Sequence, residues 1–425
     1  MRTATRCSAV ESVLERFQST RARTLQLCEP LTPEDMMVQS CAEASPVKWH
    51  LAHTAWFFES FILREFLPGY QLFNQDFPWL FNSYYQSFAA FPDKKLRASF
   101  SRPGIDAVLE YRDHVDRGVV QLLEQLRDAD PAHEALKRIE LGVNHEEQHQ
   151  ELMLTDILHA FYTNPLRPAY REAERTEAIP GWDFKLTGYS GGLREAGHGA
   201  DGFCFDNEMP RHKVWLEPFE LANRLVTCGE FAAFMADGGY KRPELWLSAG
   251  WDAVKVNGWR APLYWNDGDG TWKVFTLRGE FPLAELENAP VSHVSFFEAD
   301  AYARWAERRL PTEFEWEVAL GARKVDGNLL DTGALRPVAA AEAGGIAQIW
   351  GDCWEWTASA YLGYPGFQPL NGALGEYNGK FMCNQFVLRG ASCATPRSHA
   401  RRSYRNFFPP DARWQFSGIR LARNL

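Results

Sequence analysis

The chain has 425 residues and a formal net charge of −10 at neutral pH, and 45% of its residues are hydrophobic. This length exceeds what a single hydrophobic core supports, so we expect two or three domains. The acidic balance, without any clustered run of Lys and Arg, argues against a nucleic-acid partner and favours small-molecule substrates.

Cysteine usage and the N-terminal residues indicate the compartment. The eight cysteines are scattered without a C-x-x-C pair, which suits reduced thiols better than a disulfide framework. Residues 1–17 lack a continuous apolar core, and no later stretch approaches 18 apolar residues, about the length of a membrane-spanning helix. We therefore expect a cytoplasmic protein without a membrane partner.

The first half of the chain has the apolar periodicity of helices. Four long helical segments are predicted, at residues 8–27, 46–66, 105–128 and 132–162. Four helices are the element count of a helix bundle, and bundles build metal sites from inward side chains on facing helices.

Two pairs of histidines stand at helical spacing in these segments. His145 and His149 lie four residues apart in the last segment, and His50 and His53 lie three apart in the second. Each pair projects from one helix face, and a bundle could bring the pairs together. Histidines packed in the core among aromatic rings are the alternative. Three neutral imidazoles suit zinc, iron or copper and leave positions open for substrate and O2, but they do not choose the metal.

The segment His145–His149 also spells H-E-x-x-H, the pattern of zinc hydrolases in which Glu146 would be the general base. Zinc peptidases need a third ligand downstream. Here the helix is followed by Asp156, His159 and a proline-containing stretch, without an evident partner helix that carries Glu. The zinc hydrolase therefore stays as a weaker hypothesis.

The second half of the chain has a different composition. Only four of the 32 glycines and three of the 16 tryptophans precede residue 175. We predict a helical domain at residues 1–165, a linker at 166–180 and a second domain at 181–425. Helical periodicity is rare in the second domain, which favours an irregular α+β fold with short strands.

Four motifs follow one another in this second domain. They are R-L-P-T-E-F-E-W-E from Arg309, G-D-C-W-E-W-T from Gly351, L-R-G-A-S from Leu388 and F-S-G-I-R-L from Phe416. Together they resemble the sulfatase-modifying (formylglycine-generating) fold, a variant of the C-type lectin fold. The formylglycine enzymes bind copper through a cysteine pair, and Thr395 and Ala400 stand at the matching positions here. Formylglycine generation is therefore not expected.

The first half supplies a second resemblance. W-H-L-A-H at Trp49–His53, followed about 90 residues later by H-E-x-Q-H, resembles the DinB-like four-helix bundle fused to this fold in ergothioneine-biosynthesis sulfoxide synthases. The resemblance implies an iron(II) enzyme with O2 as co-substrate and His53, His145 and His149 as ligands. It also implies that His50 orients a ligand or a bound water.

The resemblance further implies substrate contacts. Tyr84 and Tyr85 resemble a tyrosine pair near the iron, from which a phenol delivers a proton that directs the oxidant toward C–S bond formation. Asn406, Phe407 and Phe408 match the segment that grips hercynine (trimethylhistidine), because aromatic faces attract a quaternary ammonium and an amide can bind its carboxylate. The alternative for both sets of rings is ordinary packing.

Two further groups of substrate residues are expected. Gln148, inside the metal helix, would reach the hercynine imidazole directly or through water. The sulfur donor needs a carboxylate clamp. Candidates for this clamp are Arg97, Arg102, Arg413, Trp414 and Gln415. Any single arginine is more often a solvated surface charge.

The resemblance implies that the chain joins cysteine or γ-glutamylcysteine to the imidazole C2 of hercynine and forms a sulfoxide. One departure concerns the loop after the tyrosines, where Ser87–Pro92 replaces an expected Gly-Pro-Arg-His-Pro-Arg-like segment. This loop keeps open a selenoneine synthase, which takes a selenosugar as donor. A lectin-like binding module without catalysis is the alternative from another class.

Overall fold

The structure is a computed structural model that describes residues 2–83, 85–88, 90–172, 180–199, 202–341 and 345–425. The chain divides into two compact units. Unit 1 comprises the chain up to Thr163 and the segment Asn371–Tyr377, and unit 2 comprises Asn164–Leu370 and Asn378–Leu425. The segment Asn371–Tyr377 groups with unit 1, although the sequence prediction assigns it to the second domain.

Unit 1 is helical, as predicted. Its elements are α1 (Arg2–Gln26), α2 (Val47–Phe58), a π-helical turn (Glu59–Leu63), α3 (Arg64–Phe66), α4 (Phe77–Leu80), α5 (Ile105–Gln125) and α6 (Glu134–Thr163). Helices α5 and α6 start and end close to the predicted segments. Helix α1 begins earlier than predicted, and the predicted segment 46–66 is divided into α2, the π-helical turn and α3. None of the described helices combines the length and the apolar character that a membrane span requires.

Helix α2 is the central helix of unit 1. All twelve of its residues are buried, and it packs against both α5 and α6. A helix that is covered on all sides places every side chain, polar or apolar, in the protein interior. The histidines of α2 are therefore buried.

A glycine lets α2 and α6 approach each other closely. A Cβ atom added to Gly142 on α6 would lie 2.6 Å from the ring of Phe58 on α2, far inside van der Waals contact. Phe58 also meets Phe17 of α1 edge to face, with ring centroids 5.1 Å apart. The contact at Gly142 lies one helical turn before His145, so it supports the approach of the histidines on the two helices.

Unit 2 mixes short strands with short helices. Its strands are β1 (Leu186–Tyr189), β2 (Gly192–Ala196), β3 (His212–Leu216), β4 (Phe219–Ala222), β5 (Trp265–Asn266), β6 (Lys273–Thr276), β7 (Gly279–Pro282), β8 (Trp354–Ala360), β9 (Phe386–Arg389), β10 (Asn406–Phe408), β11 (Ser417–Gly418) and β12 (Ala422–Asn424). Its helices are α7 (Cys228–Ala236), α8 (Ser248–Asn257), α9 (Phe296–Trp305) and α10 (Glu313–Leu320). The predicted α+β character is confirmed.

The strands that the structure describes in unit 2 form four small sheets. Two are three-stranded, in the orders β1-β4-β12 and β5-β6-β7, one is four-stranded, in the order β10-β9-β8-β11, and β2 pairs with β3 alone. All pairs are antiparallel except β11 with β8. The four-stranded sheet carries three of the four sequence motifs.

Buried ion pairs join the four motifs to one another. Arg420 donates to Glu355 at 2.7 Å, Trp316 Nε1 donates to the same carboxylate at 3.0 Å, and Arg389 pairs with Glu317. All four charged side chains are essentially inaccessible to solvent. Removing one partner of such a pair costs about 3–5 kcal/mol. These motifs therefore hold the fold of unit 2 together.

Candidate metal centre

Three histidines from two helices of unit 1 come together. His53 lies on α2, His145 and His149 lie on α6, and one ring nitrogen of each lies within 4.8 Å of the others. The Nε2 atoms of His145 and His149 are 3.1 Å apart. Within the described ranges this is the only group of three or more His, Cys, Asp or Glu side chains close enough to share a metal ion.

Hydrogen bonds orient two of the three rings. Nδ1 of His53 lies 2.6 Å from the carbonyl oxygen of Phe81. A carbonyl oxygen only accepts, so Nδ1 carries the proton and Nε2 keeps its lone pair. Nδ1 of His149 lies 2.8 Å from Nδ1 of His50, and Nε2 of His50 lies 3.0 Å from Oδ2 of Asp156. His50 thus contacts a ligand candidate, and its predicted role in orienting a ligand stays a prediction.

Burial keeps the three imidazoles neutral. It lowers the pKa of His145 to about 3, and it lowers the pKa values of His53 and His149 well below 6.5, with further lowering from neighbouring histidines. At neutral pH each ring presents a lone pair without a charge. This is the form in which imidazole binds a metal ion.

The donor set fits one metal ion. Two imidazole nitrogens that bind one ion through bonds of about 2.1 Å lie roughly 3–3.5 Å apart, which agrees with the 3.1 Å between His145 and His149. Nδ1 of His145 is buried without a hydrogen-bond partner in the described part of the chain. No described group therefore fixes the tautomer of this ring, and Nε2 carries the lone pair when the proton is on Nδ1.

Glu146 does not face this centre as a free base. Its Oε2 accepts from Arg21 at 2.8 Å, and its Oε1 accepts from Thr24 at 2.7 Å and from Arg112 at 2.9 Å. Burial alone would raise the pKa of Glu146, but Arg21 and Arg112 lower it to about 2. The zinc hydrolase hypothesis assigns the general base to this carboxylate, which is held by ion pairs instead.

Of the two arginines predicted near the tyrosines, only Arg97 is buried. Its guanidinium donates to Ser45 Oγ at 2.8 Å and to Ser83 Oγ at 3.0 Å, and it lies 3.4 Å above the ring of Trp49. Burial lowers its pKa to about 9, and no described carboxylate forms an ion pair with it. Arg102, by contrast, is exposed to solvent.

The stack that carries Arg97 continues to a ligand candidate. The rings of Trp49 and His53 are 4.4 Å apart and nearly parallel, at 13°. On its other side, His53 stacks on Trp56 at 5.1 Å. The buried guanidinium is therefore separated from the histidine cluster by a single indole.

Of the tyrosine pair, Tyr84 lies outside the described residues. Tyr85 is fully buried, and its ring lies 5.1 Å from Phe61 and 5.6 Å from Trp56. Because Trp56 stacks on His53, Tyr85 belongs to the aromatic wall beside the histidines. Gln148 is half-buried on α6 and, three residues after His145, lies on the same side of the helix.

Sequence reasoning missed Glu376 and Tyr377, which belong to unit 1. The ring of Tyr377 lies 5.8 Å from that of His145. The carboxylate of Glu376 accepts the backbone N–H groups of Gln86 at 3.2 Å and Ser87 at 2.9 Å, and it also bonds the Ser87 hydroxyl. A tyrosine in a glycine-containing loop gives no signal by itself, so only the fold reveals this contact.

The predicted hercynine segment forms β10 of unit 2. Phe407 stacks on Tyr361 at 4.0 Å, and Asn406 Oδ1 accepts the backbone N–H of Phe407 at 2.9 Å. Phe408 meets Trp414 edge to face at 5.9 Å. All three residues of β10 are half-buried, so they combine packing with access to solvent.

Arg413 is not suited to bind a donor carboxylate. It forms an ion pair with Glu298 at 3.0 Å and lies over the ring of Trp259 at 4.4 Å. Its charge is already compensated inside unit 2, which argues against this role, and the expectation for this arginine stays a prediction. Gln415 beside it is buried, whereas Trp414 is half-buried.

The chain matches two protein families. Residues 16–153 match the DinB superfamily, and residues 185–344 and 331–425 match the sulfatase-modifying factor enzyme 1-like domain. It is 33% identical to the hercynine oxygenase of Mycolicibacterium smegmatis, over 97% of this chain and 99% of that protein. It is also 33% identical to that of Mycobacterium tuberculosis, over 95% of this chain and 97% of that protein. Ergothioneine biosynthesis protein 1 of Schizosaccharomyces pombe is 27% identical over 52% of this chain and 28% of that protein.

Proposed function

The chain belongs to the hercynine oxygenase family, and we propose that it joins the sulfur of a small thiol to the imidazole C2 of hercynine, using iron(II) and O2. Cysteine and γ-glutamylcysteine are the proposed donors, and hercynyl-cysteine sulfoxide is the product with cysteine. The observation that carries the proposal is the cluster of neutral, buried imidazoles of His53, His145 and His149.

The reaction balances with one O2 per product. The thiol loses its hydrogen and hercynine loses the hydrogen on C2, a C–S bond forms, one oxygen atom becomes the sulfoxide and the other leaves as water. Zinc has no redox chemistry, so we propose iron(II). His53, His145 and His149 would hold it, and it would supply redox chemistry with O2 at the positions that three protein ligands leave open.

Arg97 is the proposed clamp for the donor carboxylate. The buried Arg97 guanidinium has two serine partners and no ion pair with a described carboxylate. Its charge is only partly compensated, by the more distant Asp156, which is costly in a protein interior. A carboxylate that binds there gains a charge-assisted hydrogen bond. The stack through Trp49 sets the distance between this clamp and the histidines.

Hercynine would be bound by amide and aromatic groups. Gln148 of unit 1 is proposed to contact its imidazole. That Asn406 binds its carboxylate and that the rings of Phe407 and Phe408 bind its trimethylammonium group stays a prediction from the sequence. A phenolic O–H of the pair Tyr84 and Tyr85 is proposed to deliver a proton during turnover. This proton would favour C–S bond formation over oxidation of the thiol to a sulfinate.

A donor comparison tests the proposal. Iron-loaded protein and hercynine are mixed anaerobically with cysteine, γ-glutamylcysteine or a selenosugar. O2 is then admitted, and the product masses are measured by mass spectrometry. We expect a hercynyl sulfoxide with one of the thiols. A product from the selenosugar alone would favour the selenoneine synthase, and no consumption of hercynine with any donor would contradict the proposal.

A variant of one proposed metal ligand provides a second test. His145→Ala removes one of the three imidazoles, so iron content and turnover should fall together. Retained iron-dependent oxygen uptake in this variant would contradict the assigned ligands.

A further inference from the structure

Behind one ligand candidate, hydrogen bonds run through three side chains. Oδ2 of Asp156 lies 3.0 Å from Nε2 of His50, and Nδ1 of His50 lies 2.8 Å from Nδ1 of His149. Asp156 is 7% exposed and His50 is 2% exposed. Both side chains are therefore largely shielded from solvent.

The chemistry of the three groups determines which atom donates and which accepts in each of these hydrogen bonds. The Asp156 carboxylate accepts, so Nε2 of His50 carries a proton. A neutral His50 then has only a lone pair on Nδ1, and Nδ1 of His149 must donate to it. Nε2 of His149 is left with its lone pair, 3.1 Å from Nε2 of His145.

Asp156 is itself anchored to the helix that carries His50. Its Oδ2 also accepts the backbone N–H of Ser45 at 2.8 Å, just before α2. The hydroxyl of the same Ser45 accepts from Arg97 at 2.8 Å. The carboxylate therefore links α6 to the start of α2, and its anchor is shared with the proposed donor clamp.

A buried His–Asp pair also occurs as ordinary core structure. Here, however, the second nitrogen of His50 meets the ring of a ligand candidate. A carboxylate that fixes a ligating histidine through a hydrogen bond raises the basicity of the ligand and holds its ring in place. In this protein the imidazole of His50 lies between the Asp156 carboxylate and the ligand candidate His149.

We infer that Asp156 is a positioning residue of the metal centre, which acts through His50 to keep the proton of His149 on Nδ1 and its Nε2 lone pair directed at the metal. The inference rests on the proposed function for the identity of the metal. Neither Asp156 nor His50 needs to touch the metal or the substrates for this role.

Metal titration of the full chain tests the inference without turnover. Fe(II) is titrated anaerobically, and Co(II) is used as a second probe whose visible spectrum reports ligand geometry. Asp156→Ala should weaken the binding of both ions by about 10- to 100-fold, the usual effect of losing such a partner. Asp156→Asn should weaken it less, because the amide oxygen still accepts from His50.

Glu59→Gln is the matched control. Glu59 is an equally buried carboxylate that follows α2 and accepts from Tyr70 and Tyr111, both at 2.8 Å. A general effect of removing a buried charge would weaken metal binding in both Asp156→Asn and Glu59→Gln. The inference predicts instead that Glu59→Gln leaves the Fe(II) affinity and the Co(II) spectrum unchanged. Thermal unfolding of each apoprotein shows whether the variants are folded.

The double variant distinguishes one hydrogen-bonded path from two independent effects on metal binding. Because both residues act on His149 through one path, His50→Ala with Asp156→Ala should bind metal no more weakly than the worse single variant. Unchanged affinity in Asp156→Ala, or effects that multiply in the double variant, would overturn the inference. Failure to consume hercynine with metal affinities as expected would instead contradict the proposed function alone.

Discussion

Glu146→Gln is expected to destabilise unit 1 without removing a catalytic base. The substitution keeps the shape of the side chain but removes the charge that Arg21 and Arg112 share. Arg21 keeps Asp116 at 2.7 Å, whereas Arg112 keeps only neutral acceptors. The lowering of the Glu146 pKa from 4.5 to about 2 corresponds to about 3 kcal/mol. For a unit of this size we expect a fall in Tm of roughly 6–12 °C.

The pH dependence has a definite sign. Because the folded pKa of Glu146 is depressed, its contribution is fully present above the unfolded pKa of 4.5 and is lost as pH falls through about 2. Thermal unfolding followed by circular dichroism between these pH values should therefore show wild type and Glu146→Gln converging in acid. A constant difference in Tm would refute the reasoning.

Glu147, the next residue on α6, provides the control for stability. Turnover provides a second measurement on Glu146→Gln. Glu147 is 2% exposed and pairs with Arg16, which is 28% exposed. Because this partner is partly solvated, Glu147→Gln should lower Tm less than Glu146→Gln, which removes the charge shared by two buried arginines. Turnover per bound iron should be unchanged in Glu146→Gln. A loss on the order of 10²- to 10⁴-fold, the usual contribution of a general base, with Tm unchanged would restore the hydrolase-like role.

Three further predictions concern the substrates. Arg97→Ala should raise the KM for the thiol by about 10- to 100-fold, which corresponds to the loss of a charge-assisted hydrogen bond. The control Arg102→Ala, at an exposed arginine, should leave this KM unchanged. Equal KM values in the two variants would exclude Arg97 as the residue that binds the donor carboxylate. Tyr84→Phe and Tyr85→Phe should divert product from the sulfoxide toward cysteine sulfinate, and an unchanged product ratio in both would exclude the pair from the mechanism. Glu376→Ala releases the backbone after Tyr85, so it should also raise the share of sulfinate at unchanged iron content, and a fall in iron content instead would assign Glu376 to the metal site.

Much of unit 1 could be predicted from local patterns. Helical periodicity gave the four long segments because their apolar faces repeat every three or four residues. The i, i+4 spacing of His145 and His149 placed both on one face, and the same logic applied to His50 and His53. What spacing does not give is the partner of each nitrogen, which depends on how α2 packs against α6.

The features that escaped prediction depend on contacts distant in sequence. Glu376 lies about 290 residues from Ser87, and no periodicity relates two loops so far apart. Glu146 falls inside a known motif, yet its partners come from α1 and α5. Arg413 looked available in the sequence because its partner Glu298 is not near it in the chain.

The C-terminal motifs show what a strong sequence signal can mean. Glu317 and Arg389, like Glu355 and Arg420, are paired with each other inside unit 2. Buried charges need a partner in a set geometry, so such residues identify a fold sharply and say little about its chemistry. Function had to be argued from the histidines of unit 1.

The most direct test of the account is the mass of the product formed from hercynine and cysteine under ¹⁸O2 by the iron-loaded chain. The account predicts a hercynyl-cysteine sulfoxide that carries one ¹⁸O atom, and none of it before O2 is admitted. Product formed without O2, or a hercynine pool that stays unchanged with both cysteine and γ-glutamylcysteine while iron is bound, would contradict it.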